Sequence, residues 1–503
     1  MSHAIILPIL LPLFFGALLL VGHSWSRQVK RGISLLGCLA LLPVCLYLVL
    51  LAGAGQLQVY ALGNWAPPFG IMLLLDRFNA ALLLLTSVLA GFALIYACRG
   101  DDERGPNFHA LFQFQLLGIN GAFLTADLFN LFVFFEILLI SSYALLLHGN
   151  RASQVKAGVH YVVLNLLGSS FFLIGVSLLY GLTGTLNMPD LAARVASVDV
   201  ADAPLLKAAA YLLLIVFGLK AAVLPLCFWL PRAYAAAPAS VAALFAIMTK
   251  VGFYAIVRVF TLVFGEEAGT LANLGHELLW WLALLTIAFG VIGALGARQL
   301  QALLAYLVVV SVGTLMAGFA MGSPAALSAA LYYMLHSTLI SAALFLLAGL
   351  VVAQRDSAGG DLQQERVLRQ PLVLGCMFFF ASISVAGLPP FSGFLGKMLL
   401  LRAAEPGWQA WSLWPVVLIG GLLTLVALSR AGTSLFWLGQ QTDGQPSTAQ
   451  PADRVSLLAA LGLLLASPLL MIAAAPIMAY LEAAAAQLLD LQPYLSIIAG
   501  GAA

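Results

Sequence analysis

The chain has 503 residues, of which 63% are hydrophobic and 8% charged, with a mean hydropathy of +1.04. No soluble fold buries so large an apolar fraction, so the composition specifies an all-α polytopic membrane protein embedded in the lipid bilayer. The net charge of +2 is nearly balanced, and no basic run is present to hold nucleic acid.

Apolar runs of about twenty residues, each long enough to cross a bilayer, predict about fourteen spans. They cover approximately 4–22, 32–53, 72–97, 108–125, 128–147, 157–182, 206–229, 239–264, 276–297, 301–321, 325–353, 371–402, 411–438 and 456–480. The first run has no basic segment ahead of it and is followed by further spans, so it reads as a retained helix. Arg27, Lys30, Arg31, Arg99, Arg104, Arg151, Lys156, Arg232, Arg298, Arg355, Arg366, Arg369 and Arg454 all fall in odd-numbered connections. The positive-inside rule then places those connections in the cytoplasm and both termini outside. Connections 184–204 and 354–370 read as soluble loops. Segment 439–453, rich in Gln, Thr, Ser and Pro, reads as a flexible linker, and 480–495 as a tail along the outer surface.

The seventh span breaks at Leu224-Pro225, and the twelfth at GLPPFSG, 387–393. Proline removes a backbone donor, and irregular backbone at membrane depth survives only where protein or a hydrated cavity takes up the freed groups. Interrupted helices in corresponding places predict two inverted repeats, 108–264 and 276–438. Helices one to three lie ahead of them in 1–107, and helix fourteen with a short tail follows in 456–503.

Charge inside the spans is sparse. Lys220 and Lys250 sit in the seventh and eighth spans, where a lysine costs about 2.5 to 3.5 kcal/mol on insertion scales and so needs a partner or a cavity. Glu136 is the one acid deep inside a span; opposite Lys220 it could ionise and form a pair, either mobile with a proton or simply static. His336 lies mid-span amid Ser337, Thr338 and Ser341, as a neutral core residue or as a relay between lysines. Lys397 follows the second break and is a candidate proton carrier. Arg258 reads as snorkelling to the outer interface, and Arg430, always protonated and so unable to relay protons, reads as structural. The five cysteines have no CxxC or His-paired spacing, and there is no Walker loop, HExxH or dinucleotide fingerprint. Neither a metal nor a cofactor is therefore expected.

Four segments resemble the D subunits of the Mrp-type cation/proton antiporters: DLFNLFVFFEILLISSYALL around Glu136, YVVLNLLGSSFFLIGVSLLYGLTGTLNM from Tyr161, the LP and WLP run around Lys220, and AGLPPFSGFLGK ending at Lys397. The resemblance implies a non-enzymatic component of a hetero-oligomeric antiporter in the bacterial inner membrane, partnered by A, B, C, E, F and G type subunits. Such a complex exports Na+ or another monovalent cation against protons. The resemblance further implies a central hydrophilic axis of Glu136, Lys220, Lys250, His336 and Lys397 for proton transfer and coupling. The same motifs are shared with antiporter-like subunits of respiratory complex I and membrane hydrogenases, so a proton-pumping subunit of a redox complex is the alternative. A scaffold with static charge pairs is the third.

Overall fold

The computed structural model describes residues 3–65, 70–355, 358–364, 366–438 and 450–500. In chain order the first helices are α1 (Leu7–Val21), α2 (Arg27–Gly53), α3 (Arg77–Ala97), α4 (Phe108–Leu124), α5 (Leu128–Leu146), α6 (Ala152–Thr183) and α7 (Met188–Ala196). Next come α8 (Ala203–Ala221), α9 (Trp229–Ala236), α10 (Ala239–Phe245), α11 (Met248–Leu262), α12 (His276–Gly296), α13 (Leu300–Ala320) and α14 (Pro324–Ala353). The last are α15 (Pro371–Ala386), α16 (Ser392–Ala403), α17 (Trp408–Thr433), α18 (Arg454–Ile472), α19 (Ala474–Leu489) and α20 (Gln492–Gly500).

Among the described residues, 12 helices are long and apolar enough to cross a membrane. Helices prevail because lipid offers no hydrogen-bond partner, so each backbone group must be satisfied within its own segment. Two further expected crossings fall short of that length for local reasons: α4 has 17 residues, and the twelfth span is divided into α15 and α16.

The expected third span, 72–97, is not helical from its start. It opens with a strand, Met72–Leu75, paired antiparallel with Gln58–Ala61 in the register Gln58↔Leu75. The helix begins only at Arg77 because Asp76 caps it: its side chain accepts from Asn79 N (3.0 Å), and Asn79 Oδ1 accepts from Asp76 N (2.9 Å). The 184–204 connection is also not open loop throughout, since Asn187 caps α7, which buries Met188, Leu191 and Val195. In 354–370, the buried Arg355 draws the described chain around itself by donating to the carbonyls of Gly359 and Asp361, both at 2.8 Å. Of the expected linker 439–453, residues 439–449 lie outside the described residues.

The expected fourteenth span, 456–480, is interrupted only at Ala473, between α18 and α19, and runs the length of α3, from the Asp453–Arg99 pair (3.2 Å) to Arg77; the tail beyond it packs one face against the protein. Leu481, Ala484, Ala485 and Leu488 are buried, Tyr480 Oη donates to Arg77 O (3.2 Å), and Tyr494 is enclosed. The periodic small and apolar face of α19 gives this tail a packing surface that its few charges do not oppose. At the centre stands α14, in contact with α3, α10, α13, α15, α16, α18 and α19. The span α10–α11 is wholly enclosed by its neighbours.

Candidate functional site

Two helix ends carry the first and last of the predicted site lysines. α8 stops where Ala222 takes a left-handed backbone, φ +63°, which costs an L-residue roughly 1–2 kcal/mol. Its last turn closes through Val223 N to Gly218 O (2.9 Å) and Ala222 N to Leu219 O (3.2 Å). Trp229 Nε1 gives Leu219 O a further donor at 3.0 Å, and Leu224 N finds Thr286 Oγ1 at 3.0 Å. Protein groups thus take up the backbone that the break releases. At the second break Gly387, φ +86°, ends α15, and Lys397 reaches back from α16 to donate to Val385 O and Ala386 O, both at 3.0 Å. The Lys397 ammonium therefore sits at the C-terminal end of α15, where the carbonyl dipoles favour a cation, and Lys220 stands in the last turn of α8.

Glu136 and Lys220 do not meet directly. Lys220 Nζ donates to Asn165 Oδ1 (3.1 Å), while Glu136, half-buried on α5, accepts from Ser169 Oγ. Ser169 Oγ is also 3.1 Å from Asn165 O. The expected ion pair is replaced by an amide and a hydroxyl because α6 packs between α5 and α8 and presents Asn165 and Ser169, one helical turn apart, on a single face. Sequence reasoning missed both residues. Their signal was Asn165 and Ser169 spaced i, i+4 in a mostly apolar span.

Lys250 is fully buried on α11, with Thr249 Oγ1 and Ser311 Oγ as hydroxyl partners at 3.3 Å. Ser311, from α13, lines a cavity of about 20 Å3 together with Tyr333, His336, Ser337, Ser341 and Val385. A cavity of that size and polarity holds about one water molecule. It brings together the partner of Lys250, the imidazole of His336, and the residue whose carbonyl binds Lys397. His336 Nδ1 is 2.8 Å from Ser392 Oγ. Among the described residues no carboxylate lies within ion-pair distance of Lys220, Lys250 or Lys397.

Toward the arginine-rich side, a vestibule of about 650 Å3 is lined by Arg99, Asp101, Arg104 and Arg151 at its mouth and by Tyr234 and Phe345 on the helices. It reaches α14 at Phe345 and Gly349, and the small cavity touches the same helix at Ser341 and Leu344. One helix therefore connects the open side to the buried axis.

Two other charge clusters were not anticipated. Arg258 does not snorkel: it is 1% exposed, and its Nη2 lies 2.6 Å from Asp76 Oδ2. Tyr494 Oη donates to the same carboxylate (3.0 Å), so the C-terminal tail covers the pair. Where α3 gives way to α4, Cys98, Asp102 and His109 place ligand-type atoms within 4.8 Å of one another. Arg31 already engages both Asp102 oxygens, at 2.6 and 2.8 Å, so its cation occupies the carboxylate that a metal would need. Burial works to raise the Asp102 carboxyl, but Arg31 and His109 outweigh it and hold it well below the usual carboxylate range.

Known proteins share both the sequence and the shape of this chain. The family pattern described as NADH:quinone oxidoreductase/Mrp antiporter, transmembrane, matches residues 125–426. The probable K(+)/H(+) antiporter D subunit of Rhizobium meliloti is 41% identical, across 97% of this chain and 96% of its own length. The Na(+)/H(+) antiporter D subunit of Bacillus subtilis is 37% identical, across 99% of both. A chain in the structure of the Mrp complex from Dietzia sp. DQ12-45-1b superposes with a TM-score of 0.87 at 28% identity, covering 99% of this chain and 100% of that one.

Proposed function

Because this chain belongs to the NADH:quinone oxidoreductase/Mrp antiporter family, and within it to the D subunits of the Mrp type, we propose that it carries the proton-translocating step of a multi-subunit monovalent-cation/proton antiporter. It is a transport protein, not an enzyme. The observation that carries the reading is the set of three lysines held by neutral oxygens, the buried Lys220 by Asn165, the buried Lys250 by Thr249 and Ser311, and the half-buried Lys397 by two backbone carbonyls. A lysine locked in a buried salt bridge has little freedom to exchange its proton; one held by hydroxyls and carbonyls can do so with a small rearrangement.

In this mechanism protons move along Lys250, His336 and Lys397, and the charge on that row biases the Glu136–Ser169–Asn165–Lys220 station. The station then opens the axis to one side at a time. The cation is sodium or potassium, the two ions in the names of the relatives. The working complex contains A, B, C, E, F and G type partners in the bacterial inner membrane. Both termini face outward, and the axis runs between inverted repeats at 108–264 and 276–438 with their breaks in the seventh and twelfth spans.

The test uses membrane vesicles containing the complex, with an acidified interior and a pH dye, to which Na+ or K+ is added. The parent is expected to show cation-triggered alkalinisation, and an assembled Lys250→Ala complex none. Undiminished exchange in that variant would remove the axis from the mechanism.

A further inference from the structure

Besides the one-water cavity, three serines connect His336 on α14 with the Lys397 break on α15 and α16. His336 Nδ1 lies 2.8 Å from Ser392 Oγ, Ser392 Oγ 2.9 Å from Ser467 Oγ, and Ser467 Oγ 2.6 Å from Ser384 Oγ. Ser384 immediately precedes Val385 and Ala386, whose carbonyls hold the Lys397 ammonium. All three serines and the histidine are buried.

We propose that Ser392, Ser467 and Ser384 form the proton relay between His336 and the Lys397 break, with Ser467 drawing helix α18, which lies outside both repeats, into the transport path. This deepens the antiporter reading and rests on it.

A serine in an apolar helix ordinarily turns its hydroxyl back onto a carbonyl three or four residues earlier. That is what Ser311, Ser337, Thr338 and Ser382 do, bonding to Val308, Met334, Met334 and Phe378. The three relay serines bond to one another and to His336 instead. They come from three separate elements, so no single helix geometry forces the alignment. Close packing holds it: a Cβ at Gly393 would fall 2.1 Å from Ser384 O and 2.7 Å from His336 Nε2, so only glycine lets α16 press Ser392 between them.

The step balances without any other reagent. A proton leaving the His336 imidazolium at Nδ1 for Ser392 Oγ is matched by release of the Ser392 hydroxyl proton to Ser467 and of that of Ser467 to Ser384, whose own proton goes to the unprotonated Lys397 amine, so that the imidazole ends neutral and the amine ends as ammonium. Each O–H bond formed replaces one broken, every serine ends neutral, and rotation of the hydroxyls resets the chain. Hydroxyls are suited to this role because each both donates and accepts.

The experiment compares Ser467→Thr with Ser467→Val in the assembled complex, two side chains of nearly equal shape that differ in one hydroxyl. In the vesicle assay, Ser467→Thr is expected to keep most of the parental rate and Ser467→Val to lose at least about tenfold, somewhat below what a positioned general acid or base contributes. Ser384→Ala serves the same purpose should the valine variant fail to assemble. Parental exchange in an assembled hydroxyl-free variant, alongside loss of exchange in Lys250→Ala, would overturn the relay and leave the axis standing. Parental exchange in Lys250→Ala as well would overturn both.

Discussion

Gly252 on α11 lies directly against the end of α8: a Cβ there would fall 2.3 Å from Ala221 N and 2.7 Å from the carbonyl carbon of Lys220. The two lysine-bearing elements can thus touch backbone to backbone only because position 252 has no side chain, and Lys250 is two residues away on the same helix. Gly252→Ala must push α11 from α8, since the obstructing atoms are backbone and cannot rotate aside. We expect destabilisation of about 1–3 kcal/mol and a sharp loss of exchange. Thermal denaturation of the purified complex together with the vesicle assay checks this; a variant with unchanged melting and unchanged rate would show that the close approach is irrelevant.

The Asp76–Arg258 pair makes a second prediction. With both side chains enclosed and Tyr494 donating to the carboxylate, removing one partner leaves a buried charge uncompensated. Asp76→Asn should cost about 3–5 kcal/mol, whereas the joint change Asp76→Asn with Arg258→Met, which keeps an acceptor for the Asn79 cap, should recover most of it. Tyr494→Phe should give a smaller loss, in the range of about 1–3 kcal/mol for an unmet hydrogen bond to a charged group. A double-mutant cycle on melting temperature reads these out, and strict additivity of the Asp76 and Arg258 changes would deny the coupling.

These two relationships also mark where the sequence was legible. Most of the spans, and the places of Glu136, Lys220, Lys250, His336 and Lys397 within the helix bundle, were legible because a charge or a histidine in a long apolar run stands out within its own stretch of chain. Their partners were not. Asn165, Ser169, Ser311 and Ser467 are ordinary polar residues until helices far apart in the chain bring them to a lysine, a glutamate or a histidine. Arg258 defied the snorkelling expectation for the same reason: nothing near it in the chain reveals that Asp76 and Tyr494 surround it. The strand at Met72–Leu75 escaped because a short apolar run before a helix cap has the same composition as the first turn of the span.

The loop carboxylate Asp102 gives a pH prediction. Its carboxyl is held below the ordinary range in the folded state, so the folded protein binds its proton more weakly than the unfolded chain does. The stabilisation is therefore fully present above the unfolded carboxylate value of about 3.9 and is lost as pH falls through the lower folded value. The melting temperature difference between the parent and Asp102→Asn should narrow only once pH falls below the unfolded carboxylate value. A difference that already collapses between pH 7 and pH 5 would contradict the assignment.

Asn165 separates the antiporter mechanism from a static scaffold. Its Oδ1 is the acceptor for Lys220 Nζ, and its Nδ2 is anchored on Tyr161 O at 2.9 Å, so the amide is fixed in orientation and neutral in charge. Asn165→Leu keeps the volume but leaves the Lys220 group unmet, a cost of about 1–3 kcal/mol, and should lower both stability and exchange. Asn165→Asp is the informative variant. It supplies a direct carboxylate partner for Lys220, so if the station serves only to hold α6 to α8, the variant should assemble, melt no lower than the parent and exchange ions normally. If Lys220 must respond to protons elsewhere on the axis, the added ion pair should instead immobilise it, giving a complex of undiminished stability whose exchange falls. Normal exchange in the vesicle assay for Asn165→Asp would therefore count directly against a switching role for Lys220.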